Sequence, residues 1–393
     1  MTDAAAWPRS VRLYLATFLV LGMALSVLGP ALTELRERSG AGIGDIGILF
    51  AGQAAGYIVG SFAGGRLIDR FNGHRVFAGS LVLLGVGLAT VPFFDDLTGL
   101  FVTFVIIGLG ASVCDLGGNT LLMWELGAGS GRPMNLLHMC IGIGALVAPL
   151  MVYVGLDLAM WTAAVVCALL TVWALRVPAP SRPPQAREEH TDTTLSILLL
   201  LFLFFFLYVG LEVGFAGWIK TYGEEVGLSE LAATWLTTVF WLGFTAGRLL
   251  ASAIADRVGP DVILYVACFA SVVAAAAVMI AGGGATPAVW TATAMMGVAT
   301  APQFPGMMNL AERRIHISGS ATAWFVGGAG AGGLVFPLVI GRFFDARGAK
   351  ALPVAAFLLA VATLAAFATA NRALGRARMA DTVPVSDITS DMA

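Results

Sequence analysis

Three ionisable side chains fall in the middle of long apolar runs: Asp115, Glu212 and Arg248. An ion at the centre of a bilayer-spanning helix costs about 2.5–3.5 kcal/mol on insertion scales, so each must face a partner, a cavity or a coupling ion. Ser112, Asp115 and Asn119 recur at i, i+3 and i+7, which lines up one polar stripe on one helix face. A carboxylate there can take up a proton and release it as water reaches it from alternate sides; the competing reading is a hydrogen-bonded clasp between packed helices. Tyr208 and Glu212, at i and i+4 among Gly210, Gly214 and Gly217, supply a second acid, or else an ion-paired structural residue nearer the outer surface. Thr238, Trp241, Thr245 and Arg248 form a further stripe. Its guanidinium can pair with either acid, grip a substrate oxygen through its fork of donors, or serve as a gate residue. His138 is the histidine expected within the membrane, His74, His190 and His316 being placed in loops, and it is read as a substrate hydrogen-bonding group or a satisfied core residue. Gln303 lies between Pro302 and Pro305, which interrupt a helix where irregular backbone can line a cavity, and Gln53 is a further polar candidate.

These groups need a membrane scaffold, and the composition supplies one. The 393 residues are 58% hydrophobic and only 12% charged, with a mean hydropathy of +0.87; ordinary soluble chains carry about 25% charged residues. A net charge of -2 with no basic face excludes a nucleic-acid partner. Cys114, Cys140, Cys167 and Cys268 lie in apolar runs without CxxC or Cys/His spacing, so neither a disulfide framework nor a metal site is expected. Arg9 and Arg12 lead into an apolar stretch ending at Glu34 that is too long for a signal-peptide core, and it is read as a retained first span.

Twelve apolar segments are predicted: residues 11–35, 43–65, 76–94, 98–124, 136–154 and 161–175, then 194–219, 231–255, 262–281, 288–311, 321–343 and 351–370. Between the two sets, the stretch 176–193 carries Pro178, Pro180, Pro183 and Pro184 among charges and reads as a linker. The expected organisation is a six-helix bundle over 1–175, a cytoplasmic linker over 176–193, a second bundle over 194–371 and a polar, disordered tail over 372–393. With the N-terminus inside, fifteen Lys and Arg fall in inner loops against six outside, Lys220 among the latter. Both termini are therefore expected in the cytoplasm of a cell whose plasma (inner) membrane the chain crosses.

The chain also repeats itself. An offset of 187 or 188 residues superposes Gly56-Tyr57-Ile58-Val59-Gly60 on Gly243-Phe244-Thr245-Ala246-Gly247 and Asp69-Arg70 on Asp256-Arg257. The GIGALVAPL run from Gly142 likewise meets GAGGLVFPL from Gly330, and Ser61 meets Arg248. Two six-helix halves related by a pseudo-two-fold axis along the membrane normal, with a central cavity between them, follow from that pattern.

The loop Gly65-Arg66-Leu67-Ile68-Asp69-Arg70-Phe71-Asn72-Gly73-His74-Arg75 is similar to the GxLaDRxGRR signature of the major facilitator superfamily, with Asn72 inserted and His74 replacing a basic residue. The resemblance covers nearly the whole chain. It implies that Asp69, Arg70, Asp256 and Arg257 act as a gate: an acid beside basic residues at a helix end can pair with neighbours and with a facing helix N-terminus. The bland alternative is a solvated turn that obeys the positive-inside rule. Within the helices, Asp115-Leu116-Gly117-Gly118-Asn119, Leu137-His138, Tyr208 to Trp218, Gly247-Arg248-Leu249-Leu250 and Ala301-Pro302-Gln303-Phe304-Pro305 resemble the fucose permease and sodium-dependent glucose transporter branch. That branch implies a sugar-like substrate driven by protons or sodium, with Asp115 as the leading coupling site and Glu212 as the second. Gln53, Asn119, His138, Trp241, Arg248 and Gln303 are the residues expected to bind substrate, Trp241 by covering the apolar face of a ring.

The expected function is thus a monomeric secondary transporter importing a monosaccharide or similar polyhydroxylated solute, with no cofactor beyond the coupling ion. A proton-coupled exporter of amphipathic molecules would use the same acids, and a non-transporting sensor would keep the same fold. With no GxxxxGK[ST] loop, ATP is not the expected energy source. No nucleophile and base pairing at membrane depth suggests an enzyme.

Overall fold

The computed structural model of the chain describes residues 7–182, 195–255, 257–281, 287–315 and 319–382. Its helices group into twelve membrane elements. The first half holds α1 (Arg9–Ser26, continued as Leu28–Ser39), α2 (Ile43–Ile46 and Ile48–Arg70), α3 (Gly73–Thr90), α4 (Leu97–Leu126), α5 (Gly131–Val154) and α6 (Leu156–Arg176). The second holds α7 (Leu195–Glu225), α8 (Glu230–Ile254), α9 (Pro260–Ile280), α10 (Pro287–Thr300 and Gln303–Glu312), α11 (Gly319–Arg347) and α12 (Ala351–Thr382). Among the described residues, ten helical stretches are long and apolar enough to cross a bilayer. One of the ten, Trp324–Arg376, runs through both α11 and α12, and the broken α10 is not among them, its two segments having 14 and 10 residues.

Local chemistry explains where the helices start, stop and break. Asn72 accepts from the Arg75 N–H at 3.1 Å to cap α3, and Asp96 accepts from the Gly99 N–H at 2.8 Å to cap α4. Pro30 has no N–H to offer the Ser26 carbonyl, and α1 breaks at Val27. α10 breaks at Ala301-Pro302 for the same reason. The twelfth helix corrects the expected boundary at residue 371, since it continues to Thr382. The extension is held because Leu374 is fully buried and Asn371 accepts from Arg314 Nη1 at 2.6 Å through its side chain.

The repeat is visible as paired close crossings. A Cβ on Gly56 would lie 2.0 Å from Val105 O, one on Gly60 2.6 Å from Leu109 O, and one on Gly108 1.9 Å from Gln53 O, so α2 and α4 touch through bare backbone. The second half reproduces this between α8 and α10: Gly243 meets Ala294 O at 2.3 Å, Gly247 meets Val298 O at 2.5 Å, and Gly297 meets Phe240 O at 2.1 Å. Gly144 against Leu19 O (α5 on α1) and Gly332 against Phe206 O (α11 on α7) form a second equivalent pair, at 2.0 and 2.1 Å. Each half is therefore a bundle in which the same crossings recur.

The halves meet along two seams. α5 meets α8 where Gly142 takes Thr245, whose Oγ1 would be 2.6 Å from an added Cβ, and α2 meets α11 where Gly330 takes Ile58. Polar contacts joining the halves gather at the face opposite the chain termini. There Lys220 Nζ donates to Pro30 O at 2.9 Å, Thr33 Oγ1 donates to Glu224 at 2.5 Å, the Gly44 N–H donates to Asp345 at 3.0 Å, and Arg342 pairs with Asp45 at 2.6 Å. Lys220, expected in an outer loop, is instead buried within α7 because its ammonium is the cross-link to α1. Trp218 is fully buried beside it, with Nε1 donating to Pro337 O at 2.9 Å.

Candidate functional site

Asp115 lies just past the midpoint of the 30-residue α4, and both its oxygens are engaged. Asn119 Nδ2, one turn on, donates to Oδ1 at 2.9 Å and also to the Asp115 carbonyl at 2.9 Å. Tyr57 of α2 donates its hydroxyl to Oδ2. One turn away, Ser61 Oγ and Ser112 Oγ stand 2.7 Å apart, completing a polar strip along the glycine crossing. Ser112, Asp115 and Asn119 thus share one strip of α4, and Ser112 and Asp115 bond to α2 from it.

The second half brings up Glu212 and Arg248. Tyr208, fully buried, donates its hydroxyl to Glu212 one turn along α7. The Arg248 guanidinium lies 4.9 Å from the centroid of the Phe244 ring, a cation–π contact. Its Nε is buried and makes no hydrogen bond within the protein, and neither does the indole Nε1 of Trp241. Trp241 packs edge-on against Phe240 and Phe244, at 5.1 and 5.4 Å between ring centroids.

The seam between α5 and α8 brings these two sets together. His138 precedes Gly142 by one turn, and Arg248 follows Thr245 by one turn, so the contact at Gly142 sets imidazole and guanidinium at one level. His138 is half-buried, edge-on to Phe18 at 6.2 Å, and lies within the electrostatic field of both Asp115 and Arg248. The field of Arg248 also reaches Glu212 and Tyr208. Asp115, Asn119, His138, Glu212, Trp241 and Arg248 are thus drawn from four helices in two halves, and His138 and Arg248 stand where the two halves meet. Carboxylates held by neutral donors, a guanidinium with unused donors, an imidazole and an indole can together bind a hydroxylated solute and exchange a cation.

Other expected site residues stand elsewhere. Gln303 is fully buried inside the second half, its Nε2 donating to Ser271 Oγ at 2.9 Å and to Ala299 O at 3.0 Å, while Cys268 Sγ contacts Oε1 at 3.6 Å. Its amide is spent on α9 and on the break in α10, so it is not brought to the seam where His138 and Arg248 stand. Gln53 donates to Ala24 O of α1 at 3.0 Å and is buried at the α1–α2 contact. The expected gate at the termini face is also arranged differently. Asp69 pairs with Arg182 of the linker at 3.1 Å, Arg182 Nη1 further donating to Asp69 O at 3.0 Å, while Arg70 and Arg257 are exposed. Asp256 lies outside the described residues. His74, expected in a loop, is buried at the start of α3, its rings of bonds reaching Tyr14 Oη at 2.7 Å and Val177 O at 2.7 Å.

Sequence reasoning passed over Tyr57 except as a letter in the repeat. Its signal was the i, i+4 spacing to Ser61 on a helix otherwise lined with glycine.

Comparison with known proteins agrees with this architecture. Residues 14–337 match the family model described as Major Facilitator Superfamily, and the chain belongs to that superfamily. Among curated relatives, "Sodium-dependent glucose transporter 1" of Danio rerio is 29% identical over 373 residues, covering 83% of this chain and 63% of that protein. "Sodium-dependent glucose transporter 1A" of Mus musculus is 28% identical, covering 83% of this chain and 87% of that protein. The chain thus spans just under two thirds of the zebrafish relative's length. Among solved structures, the nucleoside transporter NupG superposes with a TM-score of 0.69 at 15% identity over 94% of this chain and 98% of that one. A D-xylose-proton symporter superposes with a TM-score of 0.71 at 12% identity over 90% and 96%. The chain is a multi-pass membrane protein with that superfamily's fold.

Proposed function

We propose that this chain is a secondary active transporter that imports a monosaccharide or similar polyhydroxylated solute together with a proton, sodium being the rival coupling ion. The observation that carries the reading is the gathering of Asp115, His138, Glu212 and Arg248 across the seam between two halves. Groups on opposite sides of a seam change their mutual distance whenever the halves rock, so solute and ion can be bound in one arrangement and released in the other. Curated relatives named as sodium-dependent glucose transporters favour a sugar as the solute.

Asp115 is the coupling acid in this reading. Its carboxyl group is held by neutral donors, Tyr57 and Asn119, with no ion pair to it among the described residues. Uptake of one cation there neutralises the site before it moves, and a membrane potential supplies about 2.3 kcal/mol per charge per 100 mV to drive the step. Glu212 is the second acid, and Arg248 and Trp241 offer unused N–H donors to solute oxygens. The excess of basic residues in the loops on the side of the termini supports a cytoplasmic location for both. We take the working unit to be one chain in the plasma (inner) membrane.

The experiment is uptake of a panel of labelled monosaccharides into proteoliposomes under an imposed proton or sodium gradient. Accumulation that follows one gradient and is lost in Asp115→Asn supports the reading. Folded protein that accumulates none of the panel under either gradient sinks it.

A further inference from the structure

Position 57 of the first half and position 244 of the second are equivalent in the repeat, and in each half that ring contacts an ionisable group. Gly56 and Gly60 flank Tyr57 as Gly243 and Gly247 flank Phe244, and the flanking glycines make equivalent backbone contacts. Tyr57 offers a hydroxyl to the Asp115 carboxylate, whereas Phe244 offers a hydroxyl-free face to the Arg248 guanidinium at 4.9 Å. The opposing helix matches: the residues of α4 and α10 that make these contacts, Val105 and Ala294 or Leu109 and Val298, stand 189 apart, so Phe304 stands where Asp115 does. At this repeat position a hydroxyl is present where α4 carries Asp115 and absent where α10 carries Phe304; the acid of the second half, Glu212, takes its hydroxyl from Tyr208 on its own helix instead.

The hydrogen-bond inventory of Asp115 gives the hydroxyl a task. Asn119 Nδ2 is bonded to Oδ1 and can only donate, so a proton arriving on the carboxyl group cannot be shared along that bond. A phenol oxygen can donate or accept. We propose that Tyr57 is the positioning residue that seats the coupling proton on Oδ2 of Asp115, donating to the carboxylate when the acid is charged and accepting from it when the acid is neutral. In that step a hydronium ion gives up one proton, its O–H bond breaking to leave water as the O–H bond at Oδ2 forms and cancels the carboxylate charge. The phenol keeps its own proton, which turns to the other side of its oxygen, and no further group is consumed. The titratable groups in the field of Asp115, besides Tyr57, are His138 from α5 and the neighbouring Cys114 thiol of α4; Arg248 of α8 acts on His138 and not on the pair.

This inference rests on the reading of Asp115 as the coupling acid with the proton as its ion, and the test separates the two. Infrared difference spectra of the reconstituted protein are recorded across pH for wild type, Asp115→Asn, Tyr57→Phe and Ser61→Ala. A protonated-carboxyl band that Asp115→Asn removes identifies the acid. Tyr57→Phe is expected to raise the midpoint of that band by about one to two pH units, because the charged form loses a hydrogen bond. It is also expected to shift the band's frequency, because the neutral form loses its acceptor. Ser61→Ala, which disturbs the same helix crossing without touching the acid, is expected to leave both unchanged. A band present in wild type whose midpoint and frequency are the same in Tyr57→Phe overturns the role of Tyr57 alone. The absence of any titrating band dependent on Asp115 overturns the coupling reading and this inference with it.

Discussion

Asp115 and His138 are separable by the kind of deficit each leaves behind. Asp115→Asn keeps the size of the side chain and its partners but cannot lose or gain a proton, so gradient-driven accumulation should fall to the equilibrium level. Exchange of labelled for unlabelled solute, which needs no net ion movement, should survive. An Asp115→Asn protein that still accumulates solute against its gradient would remove the residue from the coupling step. His138→Ala should act on affinity instead, raising KM for uptake by about tenfold through one lost hydrogen bond and its packing, with the maximal rate within about twofold. Both residues were legible before any coordinates, because an ion or imidazole in an apolar run announces its own cost. Gln303 looked equally exposed to chemistry on paper. What the sequence could not display is that Ser271 and Cys268, some thirty residues upstream on α9, already satisfy its amide. Tyr57 was hidden for the converse reason, since a tyrosine in a membrane helix carries no cost that marks it and its partner is supplied by another helix.

At the scale of elements, the helices follow from hydrophobic runs and from proline and cap chemistry, and the pairing of helices follows from glycine. Twelve spans and two repeats were readable because both leave periodic marks along the chain. The end of α12 was not, because its last turns are polar in sequence and are held by Arg314 and by the burial of Leu374, which are tertiary facts. The paired crossings make a stability prediction. Gly108→Val would force a side chain into Gln53 O, where even a Cβ comes to 1.9 Å, and α2 and α4 would have to separate. Thermal melting of the purified protein should show a loss of more than about 2 kcal/mol, at the upper end of overpacking costs because the obstacle is backbone. Gly79→Ala, where nothing lies within 4 Å of an added Cβ, should stay within about 1 kcal/mol of wild type. Equal melting of the two variants would mean that the crossing tolerates separation and does not define the half. The same separation would move Tyr57 from Asp115, so Gly108→Val should also lose coupled uptake in whatever fraction remains folded.

For the whole molecule, the question is what holds the two halves together at one face. Two kinds of polar contact do so, and they differ in burial. Arg342 and Asp45 are exposed, with side-chain accessibilities of 60% and 50%, and such pairs contribute about 0–1 kcal/mol. Lys220 is 4% exposed, its ammonium donating to Pro30 O and lying 3.5 Å from Glu224, which in turn accepts from Thr33. Removing one partner of a buried pair leaves the other charge uncompensated, at a cost of about 3–5 kcal/mol in that arrangement, whereas removing both charges is often neutral. Opening the seam would return Glu224 to water, so Lys220→Met should favour the opened arrangement. The double variant Lys220→Met with Glu224→Gln should favour it less. All four native cysteines are buried, which permits spin labels at Glu37→Cys on α1 and Glu225→Cys on α7, both exposed ends of the clasp. Double electron–electron resonance between those labels should show the longer-distance population rising at least tenfold relative to the short one in Lys220→Met. Arg342→Gln should move the ratio by less than about fivefold, in keeping with its exposure. If Lys220→Met leaves the distance distribution where it was, the buried ammonium is not what closes this face, and the Gly29 to Gly217 contact beneath it, where an added Cβ would come to 2.9 Å, must suffice alone.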